Sequence, residues 1–178
     1  MYNLSDIRSI HLEVTSNCQA SCPMCARNVH GGMENPLIKI QNWSIDEFKQ
    51  IINTQVLNQI EGLYFCGNFG DPLAANKIEE LISIAKNYVK KIQIHTNGSL
   101  RSTNWWSNFA KQLSTVEHDV WFGIDGLAGV HEIYRQGTSF QKIIDNASAF
   151  IQAGGRAIWQ FIPYAHNEHQ LGDCIRAS

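Results

Sequence analysis

The chain has 178 residues, of which 44% are hydrophobic and 17% are charged, and its formal net charge at pH 7 is -2. This composition is that of a folded domain with a hydrophobic core, and it excludes a disordered chain. The sequence shows no basic stripe, no apolar stretch of membrane-spanning length and no signal peptide. We therefore expect a cytoplasmic protein without a membrane segment, and direct nucleic-acid binding is not supported.

Strand-like and helix-like segments alternate along the chain. Apolar runs predict five strands, over residues 10–15, 61–66, 91–95, 118–124 and 156–162. Amphipathic runs predict helices that begin near residues 44, 76, 104, 140 and 169, and Ser44 with Glu47 forms a capping box at the first of them. Strict alternation implies parallel strands with right-handed crossovers, so we predict an α/β fold, either a barrel or an open sheet.

Each unusual segment of the sequence comes directly after a predicted strand. These segments are Cys18–Cys25, Gly67–Pro72, Thr96–Gly98, Ile124–Gly126 and Pro163–Tyr164. In parallel α/β folds the ends of the strands share one mouth, where the ligand binds. We therefore expect the five segments to meet at one site.

Three of the five cysteines form a metal-binding pattern. Cys18, Cys22 and Cys25 have the spacing C-x3-C-x2-C, and thiolates select zinc, copper or iron–sulfur clusters. Three cysteines can hold three irons of a [4Fe–4S] cluster and leave the fourth iron open. A zinc site completed by His30 is the alternative, but closed zinc sites usually have a second pair of ligands, which this sequence lacks. The spacing favours the cluster.

The cysteine segment also resembles a known family. Glu13-Val-Thr-Ser-Asn-Cys18-Gln-Ala-Ser-Cys22-Pro-Met-Cys25-Ala-Arg27 is similar to the first-strand signature of the radical S-adenosylmethionine (SAM) superfamily, in particular of members with a C-terminal SPASM or related auxiliary-cluster domain. The resemblance continues through the segments GNFGDP, TNG, FGIDG, YRQG and HNEHQ, over nearly the whole chain. It implies a partial parallel (β/α) barrel. Residues 1–178 would form an incomplete core domain of about five β/α units that stops before the sixth.

The resemblance implies the cofactors and the reaction as well. A [4Fe–4S] cluster would bind SAM at its open iron, and an electron donor such as flavodoxin or ferredoxin would reduce it. SAM would then be cleaved to methionine and a 5′-deoxyadenosyl radical, which abstracts hydrogen from the substrate. SPASM-type members often modify peptides, so a peptide is the first expectation for the substrate. The alternatives are a small molecule or nucleoside, or a non-catalytic module that binds a cluster or zinc.

Four positions resemble SAM contacts of the family. Gly70 and Asp71 stand where relatives have a Gly-Gly-Glu-Pro segment that contacts the SAM amino group, although Phe69 and Asp71 depart from that pattern. Asn97 could face SAM or the substrate. Arg135 resembles an arginine that pairs with the SAM carboxylate, which a guanidinium matches in bidentate geometry. The alternatives are ordinary Gly/Pro and Asn-Gly turns and a surface arginine.

The remaining candidates concern the nucleoside part of SAM. Met24, Gln160 and the backbone of Ile162 resemble adenine contacts, with a buried apolar residue as the alternative for Met24. Many relatives have serine where this chain has Gly123, so a hydroxyl is missing there. We therefore expect Asp125 to bind the ribose hydroxyls or the substrate.

Overall fold

The computed structural model describes residues 3–29, 31–113 and 117–178. Strand β1 (Ser9–Leu12) is followed by a small antiparallel hairpin of β2 (Asn28–Val29) and β3 (Met33–Glu34). The main sheet continues with β4 (Gly62–Phe65), β5 (Lys91–Thr96), β6 (Asp119–Gly123) and β7 (Ala157–Gln160). The helices are α1 (Ile45–Ile51), α2 (Thr54–Gln59), α3 (Ile78–Ala85), α4 (Thr103–Gln112), α5 (His131–Tyr134), α6 (Phe140–Gln152) and α7 (Leu171–Ala177), and 3-10 turns cover Leu4–Asp6, Pro72–Ala74 and Glu168–Gln170.

The five strands of the main sheet lie side by side in chain order, β1-β4-β5-β6-β7, and every neighbouring pair is parallel. A doubly wound sheet reverses its strand order at a switch point, and the described sheet has no such reversal. Sequential order is the arrangement of a barrel wall. The prediction of a parallel α/β fold with five β/α units is confirmed.

The two faces of the sheet differ in polarity. Leu12, Phe65, Ile94 and Val120 are aligned across four strands, and all are buried in the core beneath the helices. Because side chains alternate along a strand, the preceding residues point to the other face. These residues are also in register and are all polar: His11, Tyr64, Gln93 and Asp119. Hydrogen-bonding groups, rather than a second core, cover that face.

The predicted element bounds agree with the structure to within a few residues. The capping box is confirmed, since Ser44 Oγ accepts from Glu47 N at 3.2 Å and Glu47 Oε2 accepts from Ser44 N at 2.8 Å. The first strand ends earlier than predicted because Thr15 turns away to form an antiparallel bridge with Asn42. Within the described ranges, no helix is both long and apolar enough to cross a bilayer.

Candidate functional site

A cavity of about 400 Å³ opens where the parallel strands end. Its walls come from the cysteine segment after β1, residues 66–71 after β4, residues 95–97 around the end of β5, and the ends of β6 and β7. The structure therefore brings together the segments after β1, β4 and β5, as predicted. From the last two segments it brings little into the wall: Pro163 and Tyr164 lie outside it, and β6 contributes Gly123.

The three predicted ligands, Cys18, Cys22 and Cys25, all line this cavity, and all are free thiols. Neighbouring loops fix their segment. Ser21 N donates to the carbonyl of Gln136 at 2.8 Å, and the side chain of Gln19 donates to Asn97 Oδ1 at 2.7 Å. The segment is therefore tied to the loops after β5 and β6.

The surroundings of Cys18 and Cys22 disfavour the charged thiolate. Burial, together with the negative charge of Asp71, raises the pKa of Cys18 to about 12, and burial also raises the pKa of Cys22. Such thiols keep their protons at neutral pH unless a metal replaces them. Among the residues that the structure describes, no three Cys, His, Asp or Glu side chains converge as a single metal ion requires. Three thiols that line one cavity are the donor set expected for an iron–sulfur cluster with one open iron. The alternative zinc ligand, His30, lies outside the described residues.

Gly70 holds the next loop against the cysteine segment. A Cβ atom at this position would lie 2.2 Å from the carbonyl oxygen of Thr15 and 2.9 Å from that of Asn17, so only glycine fits without a shift. The following amide, Asp71 N, donates to the carbonyl of Asn17 at 2.8 Å. Gly70 therefore makes its close contact with the protein's own backbone.

Substitution Gly70→Ala should destabilise the chain by about 1–3 kcal/mol, because the added methyl group overpacks a backbone contact. Gly172→Ala is the matched control. Its Cβ meets only Arg176 Nη1 at 3.6 Å, and alanine within helix α7 is expected to stabilise by up to about 1 kcal/mol. Thermal denaturation of the two variants should give shifts of opposite sign, and equal shifts would contradict the contact.

The Asp71 carboxylate is buried, and its hydrogen bonds lie within the protein. It accepts from Thr96 Oγ1 at 2.9 Å, from Asn97 N and Nδ2 at 2.7 Å each, and from Leu73 N at 2.9 Å. Burial raises the pKa of Asp71. Although Asp71 and Asn97 both line the cavity, their side chains bind each other, so the predicted direct contacts with SAM are not what their geometry favours.

Asp125 forms its hydrogen bonds within the protein. Its side chain is 0% exposed and lies behind the cavity wall. One carboxylate oxygen accepts from Arg135 Nε at 2.6 Å, and the other accepts from Ile162 N at 2.8 Å. Because both oxygens are engaged inside the protein, this geometry favours an internal role, and the contact of Asp125 with ribose or substrate stays a prediction. Asp125 positions Arg135, which does line the cavity.

Gly123 explains how Arg135 fits. A Cβ atom at position 123 would lie 2.9 Å from Arg135 Nη2. The missing side chain thus leaves the space that the guanidinium fills. Within the described residues, Arg135 uses only Nε in a side-chain hydrogen bond, which leaves its terminal nitrogens for a ligand in the cavity.

His131, which the sequence did not single out, supports the same pair. Its ring is fully buried; Nδ1 accepts from Asp125 N at 3.1 Å, and Nε2 lies 3.0 Å from Thr138 Oγ1. Since Nδ1 is an acceptor, the proton is on Nε2 and is donated to Thr138. Thr138 Oγ1 donates in turn to the carbonyl of Arg135 at 2.6 Å. The histidine is therefore neutral. It binds the backbone of Asp125 directly and the backbone of Arg135 through Thr138, so it holds both residues of the pair in place.

Stability should fall as the pH is lowered from about 6.5 to about 4. Burial lowers the pKa of His131 from its usual 6.5 to about 4, so the folded state binds the proton less well than the unfolded chain. This contribution is complete above pH 6.5 and amounts to about 3 kcal/mol at most. The pKa values of His95 and His118 are also lowered by burial, with the same sign. Urea denaturation across this range should show a smaller loss for His131→Asn, and equal losses would contradict the assignment.

The predicted adenine contacts are only partly assembled. Met24 is 77% exposed, so the alternative of a buried apolar residue is wrong, and it lies outside the cavity wall. Its contact with adenine stays a prediction. Ile162 lines the cavity, but its N–H is donated to Asp125 and its carbonyl accepts from Asn167 Nδ2 at 2.9 Å. Gln160 lines the cavity as predicted, with Oε1 3.2 Å from His95 Nδ1.

The comparison with protein families decides what this site belongs to. Residues 12–175 match the Radical SAM superfamily. The chain belongs to the radical SAM superfamily. Members of this superfamily use a [4Fe–4S] cluster and SAM, also called AdoMet. The sequence prediction of the family and of both cofactors is thereby confirmed.

Solved structures support the radical SAM fold. The structure of anSMEcpe with bound AdoMet has a TM-score of 0.73 at 18% identity and covers 96% of this chain and 46% of its own. SuiB of Streptococcus suis bound to precursor peptide SuiA has a TM-score of 0.71 at 16% identity, with coverages of 97% and 38%. BtrN in complex with AdoMet and 2-DOIA has a TM-score of 0.62 at 14% identity, with coverages of 90% and 58%. No curated protein matches in sequence.

The TM-scores of these structures show a shared fold. The partial-barrel prediction is therefore confirmed, and this chain spans less than half of the anSMEcpe and SuiB structures. Cys66, His95 and Arg27 also line the cavity but were not predicted to do so. For His95, the signal was its position at the end of a predicted strand that reaches the predicted mouth.

Proposed function

We propose that this radical SAM chain holds a [4Fe–4S] cluster through Cys18, Cys22 and Cys25 and positions SAM beside it for hydrogen abstraction from a substrate. The main observation that supports this proposal is that all three thiols line the same cavity as Arg135 and Gly70. The cofactor pair supplies one-electron cleavage of SAM. An external donor such as flavodoxin or ferredoxin and a cytoplasmic location are part of the same proposal.

The role of the protein's own side chains in this reaction is to bind and orient SAM. Arg135 is fixed at Nε by Asp125, so its terminal nitrogens can receive the SAM carboxylate in a two-point contact. Gln160 has its Oε1 directed at His95 Nδ1, which leaves its Nε2 donor for an acceptor atom of the adenine. The cavity wall thus offers a cation for the amino-acid end of SAM and an amide for its base.

The polar face of the sheet is the proposed substrate surface. His95 and Cys66 line the cavity from this face, and the His95 ring stacks on Trp121 with 5.1 Å between centroids. Gln93 Nε2 lies 2.7 Å from His95 Nε2, so the ring is held from both sides. Fixed hydrogen-bonding groups of this kind suit a polar substrate.

We propose a peptide as that substrate. SuiB, whose fold this chain shares, is bound to a precursor peptide in its structure, which supports the proposal. A small molecule is the second candidate, because BtrN is bound to 2-DOIA and has the same fold.

Anaerobic reconstitution tests the reaction. The chain is incubated with iron and sulfide, and its iron content and absorbance are measured. SAM and dithionite are then added, and 5′-deoxyadenosine is quantified. Cluster absorbance with 5′-deoxyadenosine formation supports the proposal, whereas stoichiometric zinc without SAM cleavage would overturn it.

A further inference from the structure

A hydrogen-bonded path leads from a buried carboxylate to one of the cysteines. The side-chain nitrogen of Asn97 donates to Asp71 Oδ2 at 2.7 Å and lies 3.7 Å from the sulfur of Cys18. This distance is in the range of an N–H···S hydrogen bond. We refer to Asp71, Asn97 and Cys18 as the carboxylate–amide–thiol path.

The orientation of the Asn97 amide is fixed by its other contacts. Its Oδ1 accepts from Gln19 Nε2 at 2.7 Å and from Ser99 N at 3.0 Å. A flip of the Asn97 amide would set its NH2 group against the backbone N–H of Ser99 and its oxygen against the Asp71 carboxyl group. The N–H side of Asn97 is therefore held towards Cys18.

The other end of the path is a buried carboxyl group surrounded by hydrogen-bond donors. Every hydrogen bond to the Asp71 carboxylate comes from a neutral donor: the hydroxyl of Thr96, the amides of Asn97 and the amide of Leu73. These donors stabilise the ionised form of the carboxyl group, against the burial that raises its pKa. Asp71 forms no ion pair within the described ranges of the chain. When the carboxyl group is ionised, its negative charge therefore acts on Cys18 without a cation in direct contact with it.

We propose that Asn97 is a positioning residue that sets the reduction potential of the cluster held by Cys18, with Asp71 acting through it in the opposite direction. This inference rests on the proposed function, because it needs a cluster at the three cysteines. Hydrogen bonds to the sulfurs of a cluster and charges near it are what tune its potential. An N–H donor stabilises the more negative reduced cluster, whereas a nearby carboxylate destabilises it.

Two substitutions should therefore shift the potential in opposite directions. Asn97→Ala removes the donor and should make the cluster harder to reduce, by about ten-fold in the equilibrium constant, or about 59 mV for a one-electron couple. Asp71→Asn removes the charge with little change of shape, and it should make the cluster easier to reduce by a similar factor.

Asn146→Ala is the matched control. Asn146 is also a buried amide, and it supports the same turn by donating to the carbonyls of Gly98 at 2.8 Å and Leu100 at 3.2 Å. No cysteine is among its hydrogen-bond partners within the described chain. Its removal should weaken the fold without moving the potential.

The experiment is a redox titration of the full chain, reconstituted anaerobically and followed by electron paramagnetic resonance, with iron content measured for each variant. Opposite shifts in Asn97→Ala and Asp71→Asn, with Asn146→Ala unchanged, support the proposal. Unchanged potentials at full iron content overturn it while leaving the proposed function intact. If Asn97→Ala holds no cluster, the sign of the Asp71→Asn shift decides. A wild-type chain that forms no cluster overturns the proposed function itself.

Discussion

Replacing Cys18, Cys22 and Cys25 together by alanine should abolish iron–sulfur absorbance and reduce 5′-deoxyadenosine formation to background. The three thiols line one cavity. Without these thiolate ligands the proposed cluster has no bond to the protein. The fold itself should survive, because in the cluster-free chain these residues are free thiols at the mouth rather than members of the main core. Far-ultraviolet circular dichroism separates the two effects.

Two other cysteines provide the controls for this variant. Cys66 lines the same cavity but lies outside the motif, and Cys174 is buried in helix α7 away from the cavity. Cys66→Ala and Cys174→Ala should each retain the iron content of the wild type. Iron bound by the triple variant, or lost from Cys66→Ala alone, would show that the ligand set is different.

The second large effect is expected from Arg135→Met. The substitution leaves Asp125 as a fully buried carboxylate without its cation. Removing one partner of a buried pair costs about 3–5 kcal/mol, because the remaining charge is uncompensated. The variant should also lose SAM affinity, since the proposed carboxylate contact is gone. Urea denaturation measures the first effect, and calorimetric titration with SAM measures the second.

Lys77→Met is the control for a pair that water screens. Lys77 and Glu80 form a 2.7 Å ion pair, but both side chains are about half exposed, so we expect a loss of at most about 1 kcal/mol. Adding Asp125→Asn to Arg135→Met should recover part of the stability, because the buried charge is removed. A double variant less stable than Arg135→Met would contradict the buried-charge explanation.

The architecture could be predicted from the sequence because the patterns that indicate strands and helices are local. Apolar runs, and a capping box between Ser44 and Glu47, are patterns within a few residues of each other. The hairpin of β2 and β3 escaped prediction because strands of two residues have no measurable period. The same holds for α5, which covers only His131–Tyr134.

The site was harder to predict than the fold because its contacts are long-range. The motif spacing identified the cysteines, and parallel topology correctly placed several loops together. The spacing of the motifs did not reveal which partner each polar atom binds. Asp125 binds Ile162, 37 positions away, and Asn97 binds Gln19, 78 positions away. A candidate ligand contact could not be distinguished from an internal one before these partners were known.

The space left by Gly123 ties two positions of the chain together in evolution. A side chain at position 123 and the present placement of the Arg135 guanidinium exclude each other, because they would occupy the same volume. Homologues with serine at this position should therefore place their arginine differently or lack the buried pair with Asp125. An alignment in which serine at position 123 occurs freely with both charged residues would contradict this. Correlated change at positions 123, 125 and 135 would define a subgroup of the superfamily in which a buried aspartate positions the arginine at the cavity.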